Sequence, residues 1–176
     1  MLCAVGVVPS FPLQLGVMPP IDSAGSPLGS QAAPFTQIAV LAIVGGGLIA
    51  AAVAHAPTPH AVWLVAYLVL VVGVAQFALG AGQAWLAAVP SSARLRAGEC
   101  LLFNAGNALV IAGTLWRHVA WVIVGALLLV VALGLFFRGV RRARGGLWLY
   151  AYRTLLVLLG ASALVGVLLA TWRAYR

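Results

Sequence analysis

The 176-residue chain, about one domain in length, is 64% hydrophobic and 7% charged. Soluble domains carry roughly 25% charged residues, so this composition excludes a cytosolic enzyme, a disordered regulator and a secreted disulfide scaffold. The net charge of +8 comes from ten arginines and no lysine, standing mostly in short gaps between apolar runs. That is the positive-inside pattern of a membrane protein, and no nucleic-acid partner is expected.

Residues 1–35 hold six of the nine prolines, with interspersed Gly and Ser, and are expected to form a flexible tail. No arginine precedes Arg94, and the run Leu2 to Val8 is stopped by Pro9, so a secretory signal is not expected. Met18 is a possible alternative start. Cys3 and Cys100 form neither a disulfide framework nor a CxxC knuckle and are expected to be inert thiols.

Five apolar runs then approach or exceed the roughly 20 residues that cross about 30 Å of hydrocarbon. They cover residues 36–54, 61–88, 100–116, 119–137 and 147–170. The expected fold is an all-α integral membrane protein: a five-helix transmembrane bundle over residues 36–172. The second run is long enough to require a long or tilted helix. Pro90 stops it, and the third run is the shortest.

With the N-terminus inside, the inner loops carry Arg94, Arg96, Arg138, Arg141, Arg142 and Arg144, against Arg117, Arg173 and Arg176 outside. The imbalance predicts a cytoplasmic N-terminus, an external C-terminus and, with the compact loops and alanine-rich composition, a bacterial inner membrane. Trp63, Trp116, Trp121 and Trp172 then fall at the outer interface, and Trp85 and Trp148 at the inner one. A weak internal repeat joins His60-x-x-Trp63 to His118-x-x-Trp121, with Gly45-x-x-Leu48 faintly echoing Gly106-x-x-Leu109.

Polar residues inside a membrane are the main functional pointers, because lipid offers them no partner. Gly73, Gln76, Gly80 and Gln83 recur at steps of three and four, as do Cys100, Asn104, Asn107 and Ile111. Each set lies on one helix face. Gln83 and Asn104 are expected to meet about one turn from the inner interface. Arg153 sits some six residues into the fifth run, which has enough Leu and Val to insert despite the charge. It either snorkels to lipid phosphates or pairs with Glu99, and Tyr150, Arg153, Val157 and Gly160 share its face. Gln76, Gln83, Glu99, Asn104, Asn107 and Arg153 thus define a polar seam between helices two, three and five. That seam either clasps helices or receives an anionic group.

Arg138, Arg141, Arg142 and Arg144 form a juxtamembrane cluster able to attract anionic lipid. His55, His60 and His118 all fall in outer connections and are the weak candidates for metal or haem; neither cofactor is expected. No phosphate loop, nucleophile elbow, HExxH or dinucleotide fingerprint occurs, and an enzyme is not expected. The composition points first to a non-enzymatic helper or structural subunit, homo-oligomeric or part of a larger membrane assembly. Behind it stand a small transporter or lipid-handling protein, and then a haem or metal protein.

Overall fold

A computed structural model describes residues 27–87, 91–143 and 145–174, with the backbone alone described for 27–30, 173 and 174. Five helices, each holding a membrane-length apolar stretch, follow one another: α1 (Pro27–Ala52), α2 (Pro59–Leu86), α3 (Ala93–Leu115), α4 (Val119–Gly139) and α5 (Leu147–Ala174). This is the all-α transmembrane bundle that the composition calls for. The end holding the α2–α3 and α4–α5 connections is termed proximal here, and the end holding the α1–α2 and α3–α4 connections distal.

The helix starts follow local chemistry. Thr58 Oγ1 accepts from the Ala61 N–H at 3.2 Å, and Pro59 stands in the first turn, where its missing donor costs nothing. Ser92 Oγ accepts from Leu95 N–H at 3.3 Å, and the Arg96 guanidinium donates to the Ser91 carbonyl at 2.7 Å. These bonds start α3 at Ala93, seven residues before the apolar run at Cys100. Arg94, Arg96 and Glu99 therefore lie on helix rather than in a loop.

The largest departure from expectation is α1, which begins at Pro27 instead of near Thr36, so residues 27–35 are helical and not tail. Pro34 lies inside this helix and removes the hydrogen bond to the carbonyl four residues back. Packing compensates. Phe35 is 1% exposed, its ring lies 5.5 Å from that of Phe136, and it presses on Gly80, where a Cβ would stand 2.5 Å from the phenylalanine's own. Tertiary contact of this kind outweighs local propensity. Residues 1–26, including Cys3, Met18 and the remaining tail, lie outside the described residues.

Helix α2 is 28 residues long, and its centre, Leu68–Ala75, is π-helical, flanked by α-helix on both sides. Gly73 in that segment receives Ile43 of α1, and Gly46 of α1 receives Val69. Helices α3 and α4 pack backbone to backbone. A Cβ on Gly106 would stand 2.9 Å from the Gly125 carbonyl oxygen, and one on Gly125 2.7 Å from that of Gly106. Such small-residue crossings are the usual route to tight helix pairs in lipid.

The two hairpins and α5 meet in a proximal core of Phe35, Leu79, Phe103, Phe136, Val140 and Tyr152. Phe103 sits edge-on to Phe136 at 6.3 Å. Helix α5 joins through Leu149, Tyr152 and Leu156, and Gly82 of α2 leaves room for the Tyr152 ring. Beyond Leu156 none of its described residues is buried, and 6% of the residues in its apolar stretch are buried, against 39% for that of α4.

Candidate functional site

The stripe Gly73, Gln76, Gly80 and Gln83 is buried throughout, as its spacing requires. At its proximal end Gln83 Nε2 donates to Glu99 Oε1 at 3.0 Å, both residues lying in the interior. The Gln83 amide fits against the backbone of Gly139, in space that any side chain there would take. Tyr152 Oη donates to the Leu79 carbonyl at 3.2 Å, so α2, α3, α4 and α5 converge on one small polar cluster.

The residues of the expected seam are wired differently from expectation. Gln83 is bonded to Glu99 and not to Asn104, whose Nδ2 donates back to the Cys100 carbonyl of its own helix at 2.8 Å. Asn107 bonds the Phe103 carbonyl at 2.9 Å and accepts from Tyr67 Oη at 2.8 Å, 40 residues away in sequence. Gln76 is fully enclosed, with neither amide atom hydrogen-bonded. Arg153 does not close the seam. Its Cζ stands 5.6 Å from the Phe137 ring centroid, a cation–π contact, while Glu99 Oε2 and Arg153 Nε are both buried without hydrogen-bond partners. Tyr150 and Val157, which share the arginine's helix face, are 67% and 70% exposed, so that face borders the outside of the bundle.

The clasp encloses its polar atoms and offers little room for a ligand. A hollow of about 450 Å³ lies beside it between α2 and α5, lined by Trp85, Trp148 and Tyr152, and a roomier one lies at the other end. Where α5 diverges, a groove of about 940 Å³ opens among α2, α3, α4 and α5. Val122, Ala126, Leu129 and Leu133 of α4 form its floor, and Leu159, Gly166 and Leu169 of α5 its far wall. Its polar groups are few: Tyr67, Thr114 and Ser162 along the walls, and His60 and Arg117 at the distal mouth. The Tyr67–Asn107 bond sits where the groove wall meets the start of the π-helical segment.

Sequence reasoning missed this groove. A usable signal was present in Trp63, Tyr67 and Val71, and again in Ser162, Gly166 and Ala170, each set stepping by four along one helix face. What no spacing conveyed is that the second half of α5 buries no residue and walls a groove instead.

The tryptophans pair at both ends. Trp85 and Trp148 meet edge-on at 5.5 Å proximally, and Trp116 and Trp121 do so at 5.6 Å distally. His55, His60 and His118 are exposed, and His118 lies 5.2 Å from the Trp121 ring; among the described residues no three His, Cys, Asp or Glu side chains are grouped to share a metal ion. Arg138, Arg141 and Arg142 are exposed on the proximal side, and Arg144 lies outside the described residues. Cys100 is a buried free thiol. The glycine echo of the internal repeat does not carry over into packing: Gly106 is a contact glycine, whereas Gly45 faces open space.

These features define a small multi-pass helical membrane protein. No known protein family, curated protein or solved structure matches the chain.

Proposed function

We propose that this protein is a non-enzymatic lipid-handling membrane protein that takes an amphiphile into the distal groove. One observation carries the reading: an apolar trough that runs along α4 from Val119 to Leu133 and opens beside a diverging helix. Fourteen helical steps span roughly 21 Å, more than the roughly 15 Å occupied by one leaflet's hydrocarbon, so a whole acyl chain has room to lie in it. The volume falls at the upper end of the roughly 300–1,000 Å³ typical of small-molecule sites, and the wall chemistry is likewise apolar with a few polar groups.

Arg94, Arg96, Arg138, Arg141 and Arg142 at the proximal end support an inner membrane with that end cytoplasmic, which puts the groove mouth at the outer leaflet. The same arginines suit anionic headgroups on the cytoplasmic side. A role as a subunit of a larger assembly is the second reading, favoured by the exposed distal stretch of α5 with Leu164, Val165 and Leu168.

The test is mass spectrometry of the intact protein released from mild detergent after extraction from its own membrane. The wild type should carry a lipid-sized adduct. Gly166→Trp should lose it while keeping its helical content, because Gly166 lines the groove and a Cβ there meets nothing within 4 Å. A bare wild-type chain, or an adduct indifferent to the tryptophan, contradicts the reading; a bound protein partner in its place favours the assembly role.

A further inference from the structure

The turn between α3 and α4 is closed by a residue of unexpected type. Arg117 has φ 58°, and among the described residues it is the sole non-glycine with positive φ. The His118 N–H reaches back to the Gly113 carbonyl at 2.9 Å, the closing bond of a Schellman-type helix end. In that motif the left-handed position usually belongs to glycine, which has no Cβ to crowd the backbone. An arginine there is a local cost to the fold, and such costs concentrate where a side chain serves a ligand.

The position of Arg117 says which ligand. It lines the distal mouth of the groove, with His60 and Pro59 of α2 also on the rim. Among residues whose side chains are described it is the sole arginine at the distal end; the other arginines so described stand proximally or, in the case of Arg153, against Phe137. The one carboxylate among the described residues, Glu99, is buried in the opposite half with Gln83. Arg117 thus stands at the open end of an apolar trough, with no acidic side chain among the described residues to occupy it.

We propose that Arg117 is the headgroup-binding residue of this groove, and that the ligand is an anionic amphiphile: one acyl chain along α4 ending in a phosphate or carboxylate at the arginine. A planar guanidinium meets either oxyanion with two parallel hydrogen bonds, which a zwitterionic choline head screens and displaces. Tail burial supplies affinity and the arginine supplies the choice of head. The proposal rests on the groove's being a lipid site, as argued above.

The experiment titrates three probes with the same chain length into the purified protein in non-ionic detergent: palmitoyl lysophosphatidate, palmitate and palmitoyl lysophosphatidylcholine. Binding to the wild type, Arg117→Gly and Gly166→Trp is read by mass spectrometry of the intact complex. The wild type should hold at least one anionic probe about tenfold more tightly than the choline lipid, in line with a charge-assisted bond. Arg117→Gly should erase that preference, leave the choline lipid within about twofold, and unfold at the same or a higher temperature, because glycine relieves the turn.

Equal binding of all three probes to the wild type, or an anionic preference that survives Arg117→Gly, overturns the headgroup assignment while leaving the groove as a lipid site. So does a uniform loss of all three probes in Arg117→Gly, which would make the arginine part of the tail's packing. Gly166→Trp separates the two levels: it should weaken every probe, and unchanged binding there overturns the groove reading itself. A lysophosphatidate preference over palmitate assigns a phosphate head, and the reverse assigns a carboxylate.

Discussion

At the scale of single residues, the interior contrast is between Gln83, which has a partner, and Gln76, which has none. A buried donor left without an acceptor costs roughly 1–3 kcal/mol, more than the bond itself contributes. Glu99→Gln should therefore be nearly silent in thermal unfolding in detergent, because the glutamine carbonyl still accepts from Gln83 Nε2. Glu99→Leu should cost roughly 1–3 kcal/mol by stranding that amide. A large loss in Glu99→Gln would show that the carboxylate itself, and not its acceptor geometry, holds α2 to α3. Gln83 and Glu99 were both legible in the sequence as intramembrane polar groups, because lipid makes any such residue conspicuous. Their pairing was not, since helical spacing gives the face of a residue but not the depth at which two helices cross. Asn104 illustrates the point: it lies five residues, about 1.4 turns, beyond Glu99 on α3 and finds its acceptor on its own backbone.

Helices bring out a second distinction, between glycines that touch and glycines that do not. Gly106 and Gly125 each meet the other's carbonyl, and backbone cannot step aside for a methyl group. Gly106→Ala and Gly125→Ala should each lower stability by roughly 1–3 kcal/mol, measured by unfolding in detergent. Gly45→Ala and Gly47→Ala, with open space at both positions, should be neutral or stabilising by up to about 1 kcal/mol through helix propensity. If all four behaved alike, the α3–α4 crossing would not be as close as described. Hydrophobic run length revealed five spans and roughly where each lies, because apolar side chains must match the bilayer. It misjudged α1 and α3 at their starts for different reasons. Pro34 is a local breaker overruled by the burial of Phe35, and Arg94, Arg96 and Glu99 are polar residues carried on a helix whose cap at Ser92 is what sets its beginning.

For the molecule as a whole, orientation is the property with the widest consequences, because it decides which leaflet faces the groove. With the proximal arginines cytoplasmic, Thr58→Cys in the α1–α2 turn should react with a membrane-impermeant thiol reagent in intact cells, and Ser92→Cys in the α2–α3 connection should not. Labelling at Ser92→Cys from outside would invert the protein and turn the groove toward the inner leaflet. Of the two parent thiols Cys100 is buried and adds little background, and Cys3 is replaced by Ser in both variants.

The buried side chains of helix α5, Leu149, Tyr152 and Leu156, all lie in its first half, so that half acts as the fulcrum of a lever whose other half borders the groove. The arm from Gly160 to the end of the helix is fourteen residues, roughly 21 Å. A change of about 10° in its crossing angle moves the tip by roughly 4 Å while the fulcrum scarcely shifts. Contacts at Leu156 and Gly160 therefore act on the groove mouth with mechanical advantage: trimming a side chain beside the pivot changes the width of an opening some 20 Å away, and residues that never touch a bound chain share in setting its girth.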